Sequence, residues 1–153
     1  MDTLTIDLWT FDVGVDAATP EAYAAHMISR VQDSWQTGAD VVVFPEYAWM
    51  GLESYVKGKD KLREVSDLFW HQLWPEVRSG LDSTGRIAVL GTVPFGDDGP
   101  GMRNRAPILC DGRELHQDKL HLTPWETVLL AGRELQTFTL NGVSFAVVIC
   151  LDI

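Results

Sequence analysis

A chain of 153 residues can bury a sizeable core and, at this length, is expected to form one domain. Hydrophobic residues make up 46% and charged residues 22%, the mix of a folded rather than a disordered protein. Twelve basic against 22 acidic side chains give a formal net charge of −10, which argues against a nucleic-acid or anionic-membrane surface.

The opening residues Met1-Asp2-Thr3-Leu4-Thr5-Ile6-Asp7 carry acids and no basic region, so no secretory signal is expected. No apolar run reaches the length of a membrane span. The two cysteines, Cys110 and Cys150, are therefore expected to be reduced, in a cytoplasmic setting.

Strands and helices alternate along the chain, which predicts an α/β fold. Leu4 to Trp9 reads as a first strand. Pro20-Glu21 opens a helix capped by Thr19 and ended by Gly38, with Tyr23, Met27, Val31 and Trp35 on its inner face. Val41 to Phe44 is wholly apolar, as in a strand covered on both faces. A second helix is predicted from about Asp60 to Arg78, with Leu62, Val65, Phe69 and Leu73 inward and a stop or kink at Pro75. Ile87 to Val93 follows as one strand, and Gly96 to Gly101 as a loop. Asp111-Gly112 and Asn141-Gly142 each predict a hairpin, joining Arg105–Cys110 to Arg113–Gln117 and Gln136–Leu140 to Val143–Cys150. Val147-Val148-Ile149 reads as central core, so a chain ending at Ile153 is expected to be cut in mid-fold.

Three segments hold residues with chemistry to offer. Glu46 follows a buried strand and a proline, where α/β folds gather their sites; the plainer reading is a solvated loop glutamate. Lys119, among apolar residues, could face a developing oxyanion or lie over Trp125 as a surface lysine. Glu126 could be a helix-start acid or a second carboxylate of a site. Cys150 ends an apolar strand, a place that suits a nucleophile on a sharp turn as well as a buried structural thiol. His116 and His121 flank Asp118, but no further cluster has metal-ligand spacing. A Cys–His pair of Cys150 with His121 is a further option. Nucleotide-binding glycine loops are absent from the sequence.

Phe44-Pro45-Glu46, Lys119-Leu120-His121-Leu122 with Glu126, and Val148-Ile149-Cys150-Leu151-Asp152 resemble, in order, the signature segments of the nitrilase (carbon–nitrogen hydrolase) superfamily. The resemblance spans the chain and includes Arg103-Asn104-Arg105-Ala106, similar to the stretch that leads into the family's lysine. It implies an α-β-β-α sandwich, continuing past the cysteine, so that residues 1–153 form a hydrolase domain incomplete at its C-terminus. It implies Glu46 as base, Lys119 as stabiliser of the tetrahedral intermediate, Cys150 as nucleophile and Glu126 as the second glutamate. The Leu151 N–H would complete the oxyanion site, and Tyr47 and Trp125 are expected to contact substrate. Substrates would be small amides or nitriles, with no metal or organic cofactor and with a homo-oligomeric assembly. Leu151-Asp152 departs from the Trp-Glu of nitrilases and the Tyr-Asp of many amidases; the aspartate leans toward amides. A non-catalytic fragment or one part of a split enzyme is the alternative.

Overall fold

The computed structural model describes residues 3–10, 17–96, 99 and 101–153. β1 (Ile6–Leu8), β2 (Val41–Phe44) and β3 (Ile87–Leu90) run parallel, with β2 between the other two. β5 (Met102–Cys110) joins antiparallel to β3, and β4 (Val93–Gly96) and β6 (Arg113–Asp118) both pair with β5, which completes a six-stranded sheet. β7 (Thr137–Leu140) and β8 (Val143–Ala146) form a separate hairpin sheet. Both hairpin turns use the predicted pairs with positive φ at each central residue: Asp111 (+50°) and Gly112 (+72°), Asn141 (+50°) and Gly142 (+77°).

The two faces of the large sheet have different covers. Val42, Phe44, Ala88 and Leu90 pack on the helical side, against Tyr23, Met27 and Val31 of α1 (Pro20–Gln36) and against Phe69, Leu73 and Trp74. Their neighbours Val41, Ile87, Val89 and Ile108 point the other way and pack on Phe138 and Leu140 of β7. The strictly apolar run of β2 is thus buried from both sides, as its composition predicts. The described residues give α-β-β layers of the expected sandwich.

α1 starts as predicted, with the Thr19 hydroxyl accepting from the Ala22 N–H at 3.1 Å. The second predicted helix covers the expected range but is not regular. It comprises α2 (Lys61–Asp67), a π-helical stretch (Leu68–Leu73) and α3 (Trp74–Gly80), with Pro75 in the first turn of α3, so that the α-helix is interrupted before the proline and the run continues past it. The wider π turn accommodates a ring that would otherwise meet the carbonyl four residues earlier. No described helix is long and apolar enough to cross a membrane.

Two strand expectations need correction. Ile87 to Val93 is not one strand: Gly91, at φ +70°, separates β3 from β4. A Cβ there would lie 2.4 Å from the Pro45 carbonyl oxygen and 2.6 Å from the Ala48 Cβ, so glycine lets the Pro45–Ala48 segment pack tightly on the bend. The last strand stops at Ala146 rather than reaching Cys150; beyond it Ile149 is buried and Val147 packs on the second core cluster, as expected, while Val148 is exposed. Among the described residues β8 pairs on one side only, with β7, and its positions at Val143, Ser144 and Ala146 are exposed. Of the predicted Gly96–Gly101 loop, Asp97, Asp98 and Pro100 lie outside the described residues.

Candidate active site

The C-terminal end of β2 delivers Glu46 and Tyr47 to the site. Tyr47 adopts a left-handed φ of +60°, fixed in part by its N–H donating to the Thr92 hydroxyl at 2.7 Å. Lys119 follows β6, and its backbone N–H donates to the Asn104 carbonyl at 2.9 Å. The lysine is 1% exposed. A buried ammonium needs partners for its donors, and here two carboxylates supply them. Nζ lies 2.8 Å from Glu46 Oε1, 3.1 Å from Glu126 Oε1 and 3.0 Å from Glu126 Oε2. Burial disfavours the lysine's charge, but the hydrogen bonds and charges of Glu46 and Glu126 outweigh it and hold the ammonium above its ordinary value.

The two glutamates are not equivalent. Glu126 Oε1 accepts from the Tyr47 hydroxyl and from Lys119; Oε2 accepts from the Thr123 N–H at 2.7 Å and the Thr123 hydroxyl at 2.8 Å. Burial raises this carboxyl's pKa, and the donors from Tyr47, Thr123 and Lys119 reverse that and bring it down to about 2. Glu46 receives Lys119 and the Asn104 side-chain amide, at 2.8 Å each, on the same oxygen, Oε1. None of these bonds uses its Oε2. The Tyr47 hydroxyl is driven well above the usual phenol range by burial first, then by its bond to Glu126 and the charges of Glu126, Glu46 and Cys150.

Cys150 does not end a buried strand. It begins a 3₁₀ turn (Cys150–Asp152), is exposed and takes a left-handed φ of +52°. With Glu46, Thr92 and Val147 it lines one cavity of about 220 Å³. The turn leaves Cys150 exposed, whereas the other cysteine, Cys110, is 0% exposed. Leu151 follows in the turn, half exposed, and its N–H is not among those held by Asp152.

Tyr47 and Trp125 border a second, larger and mostly apolar cavity of about 420 Å³, together with Asn104, Glu126 and Leu129. Trp125 is 79% exposed and free to meet a ligand; the Tyr47 hydroxyl is committed to Glu126. The sequence reading thus named four side chains that the fold ties together, Glu46, Tyr47, Lys119 and Glu126, and a fifth, Cys150, that lines a cavity with Glu46. It missed Asn104 as a member of the site. Asn104 is 1% exposed, its amide faces Glu46, and its Oδ1 is buried without a partner. The predicted strand began at Arg105, and β5 in fact starts at Met102, which brings Asn104 into the sheet. His121 places its imidazole 3.4 Å from Asp152, and among the described residues no group of three or more His, Cys, Asp or Glu gathers as a metal site.

Comparison with solved structures gives the class of fold. An amidase from Nesterenkonia sp. superposes with a TM-score of 0.66 at 16% identity, covering 97% of this chain and 56% of the amidase. Saccharomyces cerevisiae Nit3, of branch 10 of the nitrilase superfamily, gives 0.64 at 19% identity over 97% of this chain and 56% of its own. A glutamine-dependent NAD+ synthetase from Acinetobacter baumannii gives 0.70 at 18% identity, over 99% of this chain and 28% of the synthetase. The chain has the nitrilase-superfamily fold, as the signature segments predict, and spans about half or less of these structures' length. No family model and no curated protein matches the sequence.

Proposed function

We propose that this chain carries the catalytic core of a hydrolase of non-peptide carbon–nitrogen bonds that works through a Cys150 thioester. The observation that carries the reading is the difference between the two carboxylates on Lys119. Glu126 is saturated with donors, whereas Glu46 keeps one oxygen free and lines the cavity that Cys150 lines. Only the latter is placed to exchange protons.

In this reading Glu46 takes the thiol proton and the thiolate attacks the substrate carbon. Lys119 and the Leu151 N–H receive the charge that develops on oxygen. Glu46 returns the proton to the departing amine, then takes one from the water that cleaves the thioester; the thiol is restored and a carboxylic acid leaves. Glu126 stays ionised and holds Lys119 in place. The substrate class is small linear amides or carbamoyl compounds. Nitriles are the alternative within the same chemistry, and a portion of a larger assembly without activity of its own is the alternative outside it.

The test is ammonia release from propionamide, L-glutamine, a carbamoyl amine and propionitrile. Glutamine belongs in the set because the synthetase that shares the fold is glutamine-dependent. Cys150→Ala and Glu46→Gln should each lower turnover by about 10³-fold or more. Retained turnover in either variant refutes the assigned roles, and no turnover of any compound by the wild type favours the inactive portion.

A further inference from the structure

Asp152 reads from sequence as a discriminator of substrate, but its surroundings tell otherwise. Its side chain is 0% exposed. Oδ1 accepts from two successive backbone amides, Leu120 at 2.9 Å and His121 at 2.7 Å. Oδ2 accepts from the Ile149 N–H at 3.1 Å, and the His121 imidazole lies 3.4 Å from Oδ1. Leu120 and His121 directly follow Lys119; Ile149 directly precedes Cys150. One carboxylate therefore joins the segment that bears the lysine to the turn that bears the thiol, with both oxygens occupied.

The geometry points to Asp152 as a positioning residue that sets where Cys150 stands relative to Glu46 and Lys119, not as a contact for substrate; this rests on the reading of Cys150 as nucleophile. The turn needs such a tether. Cys150 sits in a left-handed conformation that a non-glycine residue adopts at a cost, and Cys150 and Leu151 are themselves exposed. A carboxylate accepting backbone N–H groups makes charge-assisted bonds of fixed direction. Displacing a reacting group by about 1 Å can cost about 10²-fold in rate.

The test uses the thiol itself, so it does not need the natural substrate. The Cys150 thiolate displaces iodide from iodoacetamide, forming a thioether, and the second-order rate at neutral pH reports how the thiol is presented. Asp152→Asn keeps the shape but turns an amide group toward N–H donors. Its alkylation rate at neutral pH should fall about tenfold. The sign is diagnostic. Removing a nearby negative charge, with positions unchanged, favours the thiolate and would raise the rate. A rate that is unchanged or raised overturns the proposal, as does an altered ratio of amide to nitrile turnover with unchanged alkylation.

Cys110 serves as an internal control, since it is fully buried and accepts the label only on unfolding. If Asp152→Asn shows two adducts, the decision passes to Asp152→Glu, which keeps the charge and adds one methylene. That variant should take one adduct, at about a tenth of the wild-type rate, and a wild-type rate overturns the proposal. A wild-type Cys150 no faster than free cysteine would instead strike at the nucleophile assignment under the proposed function, so the two failures are distinguishable.

Discussion

Lys119 is 1% exposed and holds two carboxylates, whereas Cys150, which shares a cavity with one of them, is exposed and stands in a left-handed turn. The lysine region is over-determined: Glu126 has donors on both oxygens, Glu46 is fixed by Asn104, and Tyr47 is tied to both Thr92 and Glu126. The cysteine region is held by the buried side chain of Ile149 and by the carboxylate of Asp152. The comparison teaches that a buried, multiply bonded charge cluster can stand beside an exposed cysteine held in a strained turn. Stability and chemistry should then separate between the two regions under mutation.

The largest effect is expected where the rigid region loses its cation. Lys119→Met conserves most of the volume but leaves Glu46 and Glu126 facing each other in a nearly dry site. Breaking a buried ion cluster by removing one partner costs about 3–5 kcal/mol, measurable by urea unfolding. The deficit should shrink as pH falls, because a buried carboxylate without its cation is relieved by protonation. A variant as stable as wild type at pH 8 would show that the cluster is not the rigid half of the comparison.

A smaller effect is expected from acid titration of the same region. The folded-state carboxyl of Glu126 is depressed to about 2, so its contribution is fully present above its unfolded value and is lost as pH falls through about 2. A depression of that size corresponds to roughly 3 kcal/mol, shared among Tyr47, Thr123 and Lys119. Circular dichroism between pH 5 and pH 2 should show the wild type losing stability across this window and Glu126→Gln, already weaker at neutral pH, losing less. Parallel acid curves would move the acid-sensitive group elsewhere.

These two regions were not equally legible in the sequence. Period and punctuation exposed the scaffold: the four-residue spacing from Tyr23 to Trp35, the apolar β2 and the Asp-Gly and Asn-Gly turns all fold as read. Glu46, Lys119 and Glu126 could be named because their segments resemble signature motifs, and the fold brings them together over separations of 73 and 7 residues. What escaped was anything set by tertiary geometry. The π turn before Pro75 has no periodic signature. The break at Gly91 depends on the approach of Pro45, which no local pattern encodes. Asp152 was visible as a residue type, but its backbone partners at Leu120 and His121 lie 32 and 31 positions away. Asn104 belonged to a recognised stretch, yet only the folded register turns it toward Glu46.

The finest division of the comparison lies within the Cys150 turn itself. A thiol that is exposed and packed against little contributes almost nothing to stability, so Cys150→Ala should stay within about 0.5 kcal/mol of wild type while losing turnover. The backbone is another matter. Alanine keeps the Cβ that disfavours φ +52°, whereas glycine removes it. Relief of a left-handed residue is worth about 1 kcal/mol, so Cys150→Gly should unfold at higher urea than Cys150→Ala, although it is the smaller and more flexible residue. In an unstrained exposed turn the order would reverse, because glycine gives the unfolded chain more freedom to lose. The sign of one small difference between the two variants thus reports whether the turn that carries Cys150 is held under strain.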